Sequence, residues 1–240
     1  MTRHPRLIAF VIFAGLPASA QATQFSYSYL ELTGDLSKTE NTAQNPVGDA
    51  DGRLLGISGS WKVFDSVHLK GAWSRETKGF SNEVAGTPLD LDSEQTVGTL
   101  GAGVHFGVGE RTSIYAEALA IVDFGVEHLV PMVVPSMRGP PSVSTVESTL
   151  DGRGFSAAVG VRRWVGERLE LEGQFSRIQT SVDVLRTGEE LSDAETMLRA
   201  AAHLHAGAGF SIGTFFAFSK HTDDNFDNIR KLGVSLRYHP

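Results

Sequence analysis

The 240-residue sequence contains no cysteine. Disulfide frameworks, thiolate zinc sites and a lipid-modified cysteine anchor are thereby excluded. Long apolar runs are also missing: no segment approaches the roughly 20 consecutive apolar residues of a membrane-spanning helix. Basic residues are outnumbered, with 21 Lys and Arg against 28 Asp and Glu and a net charge of −7. A nucleic-acid ligand is disfavoured, because clustered cations are needed to neutralise phosphates. Proline is sparse, at 9 residues, whereas glycine is plentiful at 26.

The first segment has the layout of a secretory leader. Arg3 and Arg6 open it, Leu7 to Leu16 is apolar, and Ala18-Ser19-Ala20 and Ala20-Gln21-Ala22 both offer small-x-small cleavage sites. Residues 1–22 are therefore expected to be a signal peptide and 23–240 a single domain. Losing Arg3 and Arg6 takes the net charge to about −9. Were this chain to enter a membrane without a suitable helix, a closed β-barrel would be the remaining route, since only helices and barrels satisfy their backbone groups in lipid.

Beyond residue 22 the dominant period is two. Leu169, Leu171, Gly173 and Phe175 alternate with Arg168, Glu170, Glu172, Gln174 and Ser176. A strand puts these sets on opposite faces; a helix would mix them. Leu55 to Val63, Leu198 to Ala208 and Leu232 to Tyr238 alternate likewise. Two hairpins resemble each other, 101–116 and 158–173, and both carry Gly-Glu-Arg at the tip (Gly109-Glu110-Arg111 and Gly166-Glu167-Arg168). Glycine there supplies the positive φ of a tight turn. Other turns are expected at Phe64-Asp65-Ser66 and near Gly213-Thr214.

These patterns predict an all-β antiparallel up-and-down barrel. Ten strands are expected near 25–34, 53–63, 67–78, 95–107, 112–126, 153–164, 168–180, 196–210, 215–220 and 229–238, or eight if 196–220 is misjudged. Short connections alternate with long ones at 35–52, 79–94, 127–152, 181–195 and 221–228. Trp61, Trp73, Trp164, Phe210, Phe215 and Tyr238 fall near strand ends and fit outward aromatic girdles. The first strand is ambiguous: Phe25, Tyr27 and Tyr29 suit an outward face, yet Glu31 shares their parity.

Strand parity turns Lys62, His68, Lys70, His105, Glu117, Asp123, Arg162, Glu170, Glu172, Arg199, His203, His205, Lys231 and Arg237 inward. A structural ionic network is expected of Lys62, Lys70, Glu117, Arg162, Glu170, Glu172, Arg199 and Arg237, because opposite charges offset each other's desolvation. The same groups would line a narrow channel if the lumen were open. His203 and His205, with His105, make a metal site geometrically conceivable, but lumen histidines are the preferred reading and no metal or cofactor is expected. The acidic segments Asp49 to Gly52 and His221 to Asp227 lack the fixed ligand offsets of a calcium loop. His221, Asp223, Asp224 and Asp183 at one rim offer a carboxylate–histidine pair, yet no hydrolase motif accompanies them, and no catalytic residue is assigned. The Pro-rich loop 127–152 suits an adhesive surface, a lid or a disordered segment equally.

The chain ends Lys231-Leu-Gly-Val-Ser-Leu-Arg-Tyr238 before His239-Pro240. Lys231, Gly233, Leu236 and Tyr238 resemble the assembly signal of outer-membrane barrels, with two trailing residues. Together with the Tyr-rich first strand (Tyr27, Tyr29), Asp51-Gly52 before the second, and repeated Gly-x-Gly-x strands, the chain resembles the small outer-membrane β-barrel proteins of proteobacteria. It is most similar to the ten-stranded group of xanthomonads and their relatives. Members are mostly of unassigned function, so the resemblance implies location and fold rather than a reaction. It implies a porin-like Gram-negative outer-membrane barrel with short periplasmic turns and longer external loops. Its partners would be membrane lipids, lipopolysaccharide and the assembly machinery, and it would be a monomer. A structural or surface-interaction role is the leading expectation. A narrow channel, an outer-membrane hydrolase and a soluble lipocalin-like binder are the alternatives.

Overall fold

A computed structural model describes residues 25–40, 50–84, 87–134, 142–184, 189–221 and 228–240. The expected leader, residues 1–22, lies outside them. Ten antiparallel strands follow one another: β1 (Tyr29–Glu40), β2 (Ala50–Phe64), β3 (Val67–Val84), β4 (Thr87–Gly107), β5 (Thr112–Val134), β6 (Ser142–Val165), β7 (Leu169–Val184), β8 (Glu189–Gly207), β9 (Phe210–His221) and β10 (Asn228–Tyr238). Each pairs with its sequence neighbours, and β1 pairs with β10 from Leu30↔Tyr238 to Glu40↔Asn228. The barrel is closed, so no edge strand is left with unpaired backbone groups. Ten strands exclude the eight-stranded alternative.

Alternation explains the closure. On β9, Ser211, Gly213, Phe215, Ala217 and Ser219 are buried, while Phe210, Ile212, Thr214 and Phe216 are exposed. On β10, Gly233, Ser235 and Arg237 are buried, while Leu232, Val234, Leu236 and Tyr238 are exposed. The 158–173 hairpin pairs Val161 with Gly173 and Arg162 with Glu172. In the other hairpin Val104 faces Ala116 and Gly103 faces Glu117. Gly109 (φ 73°) and Gly166 (φ 72°) hold their turns in the left-handed region, as the Gly-Glu-Arg tips require.

Three expectations are corrected. First, the β8–β9 turn is not at Gly213-Thr214. It falls at Gly207-Ala208-Gly209, all with positive φ (90°, 51° and 79°), and β9 runs through Gly213 without a break. Second, most of the expected loop 127–152 is strand. β5 and β6 continue as a paired ladder from Glu127↔Thr149 to Val134↔Ser142, with Pro131 opposite Thr145. Once the barrel fixes the register, backbone pairing carries the hairpin on past the alternating segment. Neither a lid nor a disordered loop describes 127–134 and 142–152; residues 135–141 lie outside the described set. Third, 35–40, 50–52, 79–84, 87–94, 181–184 and 189–195 are likewise strand rather than loop.

Candidate functional site

The burial of this barrel is inverted relative to a water-soluble protein. Among the described residues the buried set is mostly polar or ionic, including Glu31, His68, Glu117, Arg162, Glu170, His203 and Arg237. The outward face carries large apolar side chains on every strand, Leu55 (66 % exposed) and Val234 (63 %) among them. The charged and polar groups of the chain therefore converge on the lumen.

Its centre is a charge-balanced network. Arg162 Nε donates to Glu170 Oε1 at 2.7 Å, and Arg237 Nη1 lies 3.6 Å from the same oxygen. Arg237 Nη2 donates to Glu31 Oε2 at 3.2 Å and lies 3.7 Å from Glu172 Oε2. Arg199 Nη1 is 3.7 Å from Glu172 Oε1, which also accepts the Tyr115 hydroxyl at 2.7 Å. Across the barrel Lys70 Nζ donates to Glu117 Oε2 at 2.7 Å, and His68 Nε2 is 3.2 Å from Glu117 Oε1. Arg162, Arg237, Arg199 and Lys70 thus face Glu31, Glu170, Glu172 and Glu117, so no sign is left in excess and each ion keeps a counter-ion in place of water. A second cluster lies towards the long hairpins, where Glu76 accepts Ser37 Oγ (2.9 Å) and Lys231 Nζ (3.3 Å), with Lys78 Nζ at 3.6 Å.

The segment before β1 turns into the lumen at the end where the tight turns lie. The Tyr27 ring stacks on His105 with centroids 3.7 Å apart, and its hydroxyl is 2.9 Å from Ser113 Oγ. Arg162 lies over the rings of Tyr27 (4.9 Å) and Phe25 (5.3 Å) and donates through Nη1 to the Ser26 carbonyl at 3.1 Å. Ser60 Oγ donates to the Tyr27 carbonyl at 2.7 Å. Residues 25–28 therefore reach from β1 to the facing strands β3–β6. At the other terminus His239 stacks on His205 at 5.3 Å. The ambiguity of the first strand is resolved: Tyr27, Tyr29 and Glu31 all face in. The space left between Tyr27, Tyr29, Tyr115, Glu117, Arg162 and Glu172 is about 10 Å³, scarcely room for one water molecule.

Glycines make this filling possible. Register sets His68 opposite Gly103, Tyr115 opposite Gly160, His203 opposite Gly213 and Phe215 opposite Gly233. A Cβ on any of these glycines would come within 2.3–2.5 Å of the facing ring. Gly160→Ala is therefore expected to destabilise the barrel by about 1–3 kcal/mol through overpacking against Tyr115. Gly173→Ala faces outward, its nearest neighbour Val161 Cγ1 at 3.8 Å, and should be near neutral. Urea titration of the folded barrel in detergent compares the two.

Seven of the eight residues expected in the ionic network lie in this lumen. Lys62 does not reach its centre; it pairs with Asp65 (3.5 Å) at the β2–β3 turn. Asp123 sits at the β5 irregularity between Ile121 and Gly125, against Gly98. Two aromatics of the expected girdle are corrected. Trp164 turns inward onto His205 (4.4 Å), and Phe215 is buried under Arg199 (4.6 Å). Trp61, Phe210 and Tyr238 are exposed. The assembly-signal residues divide between faces: Lys231 and Gly233 point in, Leu236 and Tyr238 out.

The three candidate metal ligands are not brought together. His105 joins His68 and Tyr27, whereas His203 and His205 approach Glu172 (3.9 Å) and Glu170 (3.4 Å). Among the described residues no group of three or more His, Asp or Glu is placed to hold a metal ion. His221 Nδ1 is 2.6 Å from Asp193 Oδ2, a partner the sequence did not single out. Asp223 and Asp224 lie outside the described residues. Glu31, Tyr27, Tyr115 and Glu76 were also not named for the network; for Glu76 the signal was present, since it shares parity with His68 and Lys70.

No family model and no curated protein sequence matches the chain. Solved structures do. The translocator domain of the autotransporter NalP from Neisseria meningitidis aligns over 90 % of each chain at TM-score 0.54 and 10 % identity. The β-domain of the Bordetella autotransporter BrkA aligns over 90 % of this chain and 100 % of its own, at 0.55 and 9 %. The fold is an outer-membrane-type β-barrel. At such identities the likeness concerns the path of the backbone, and the lumen described above is this chain's own.

Proposed function

We propose that this chain is an integral outer-membrane β-barrel with a packed, salt-bridged lumen, serving a structural or surface-interaction role rather than catalysing a reaction. The observation that carries the reading is the inverted burial. Exposed Leu, Val, Ile and Phe side chains on all ten strands would be an aggregation liability in water. In a bilayer they are the required surface. The partners in this reading are outer-membrane lipids and the assembly machinery that receives the Lys231–Tyr238 strand, and the barrel acts as a monomer.

The packed lumen favours a sealed barrel over a narrow channel. Residues 25–28 cross one mouth, Arg162, Glu170, Arg237 and Glu172 fill the section above it, and the gap between Tyr27, Tyr29, Arg162, Glu172 and Arg237 is about 10 Å³. A ten-stranded barrel lies nearer the filled eight-stranded case than the open sixteen-stranded one. Planar-bilayer recording of the purified full chain checks this: the membrane should stay silent, and steady unitary openings would establish the channel instead.

A further inference from the structure

We propose that the outer half of the lumen, towards the long hairpins, holds a binding site for inorganic phosphate, formed by Lys78, Lys231 and Arg199 over the carboxyl of Asp35. The inference goes beyond the sealed-barrel reading: a lumen closed at one mouth can still hold a small solute at the other.

Packing of the lumen is uneven. Arg162 and Arg237, near the mouth crossed by residues 25–28, have side chains only 4 % and 3 % exposed. Arg199, Lys231 and Lys78 also point inward, yet keep 15 %, 16 % and 18 %. Their carboxylate partners lie deeper, Glu172 at 9 % and Glu76 at 7 %. In each of these outer pairs the cation is the member that water reaches.

Register gathers the three cations on one rung of the barrel. Lys78 pairs with Gly52, Gly52 with Ser37, Ser37 with Lys231, Lys231 with Ala217 and Ala217 with Arg199. The residues between them are small, which leaves room for the long side chains to converge; Lys78 Cγ already lies over Gly52. Counter-charge is shared thinly. Glu76 serves both lysines, and Arg199 divides Glu172 with Arg237, each at 3.7 Å.

The rung below carries Glu76, Asp35, Phe215 and Glu172. Asp35 is 8 % exposed, and its Oδ1 has no hydrogen-bond partner. The charges that bear on it most strongly are Lys231, Glu76, Arg199 and Lys78. Asp35 and the edge of the Phe215 ring flank Gly233, and the Arg199 guanidinium lies 4.6 Å from the centre of that ring. The three cations thus surround a buried acceptor that lacks a donor, a costly arrangement unless a ligand brings one. Phosphate does. At neutral pH it keeps at least one proton, so its O–H donates to Asp35 while its other oxygens accept charge-assisted bonds from Arg199 and the lysines. Sulfate has the same shape but no proton at that pH, and Asp35 repels it.

The test is equilibrium dialysis of radiolabelled inorganic phosphate against the full-length folded barrel in an uncharged maltoside detergent at neutral pH. Wild type should bind phosphate saturably, one ion per barrel, and a large excess of sulfate should leave it bound. Arg199→Gln should weaken phosphate binding about tenfold or more, the loss of a hydrogen bond to a charged group. Asp35→Asn should abolish the discrimination, because the amide donates to sulfate as readily as to phosphate. Absence of saturable binding overturns the proposal, and so does displacement of phosphate by sulfate at matched concentration in wild type. Should either variant fail to fold, the wild-type comparison of the two anions decides by itself. Steady openings in a planar bilayer, by contrast, would fail the sealed-barrel reading and leave this one standing.

Discussion

Glu170→Ala is expected to destabilise the folded barrel by about 3–5 kcal/mol, the cost of removing one partner from a buried ion pair. Glu170 is fully buried and faces two guanidinium groups, Arg162 at 2.7 Å and Arg237 at 3.6 Å. Its loss leaves both cations in a water-poor lumen short of a counter-ion. Arg162 also holds Ser26 and the Phe25 and Tyr27 rings, so the segment across the mouth should loosen in the same variant. Removing the exposed pair partner Arg75, by contrast, should cost less than about 1 kcal/mol, because water screens it. The temperature at which the compact gel form converts to the unfolded form compares the two variants directly. Equal shifts would mean that the lumen is wet and the ions there are screened.

Val234→Arg should cost about 2–4 kcal/mol when the protein is folded in a bilayer, the penalty for a basic side chain on the lipid face near mid-membrane. Val234 is 63 % exposed and lies between Leu232 and Leu236 on the outward face of β10. The contrast with a soluble barrel is sharp. In water, replacing an exposed valine by arginine is worth within about 0.5 kcal/mol either way. Urea unfolding from phospholipid vesicles measures the difference, and a neutral Val234→Arg would favour the soluble, lipocalin-like alternative.

Much of this architecture is legible in the sequence because strand parity is a local property. Glu170 and Glu172 must share a face, and Leu169 and Leu171 must share the other, wherever the strand pairs. Gly109 and Gly166 likewise announce their own turns. What could not be read locally is a glycine's purpose. Gly213 looked like turn chemistry, but it lies in mid-strand to admit the His203 ring from β8. The turn belongs to Gly207-Ala208-Gly209, four to six residues earlier, and Phe215, expected in the girdle, shares the inward parity of Gly213. Trp164 failed for a different reason. A tryptophan near a strand end suits a girdle on composition alone, yet it shares parity with Arg162 and so faces in. The contacts that cross the lumen were least legible. Tyr27 meets His105 on β4 because the segment before β1 turns across the lumen, and Glu76 on β3 meets Lys231 on β10 because β1 closes on β10.

The absence of cysteine makes the most direct measurement simple, since a single introduced Cys is an unambiguous attachment point. Fluorophores placed one at a time at Leu100, Val159 and Val234, outward positions on β4, β6 and β10, sample the belt on different sides of the barrel. In vesicles doped with a lipid carrying a nitroxide at mid-chain, all three should be strongly quenched and aqueous iodide should leave them untouched. Quenching by iodide and not by the nitroxide lipid would contradict the account.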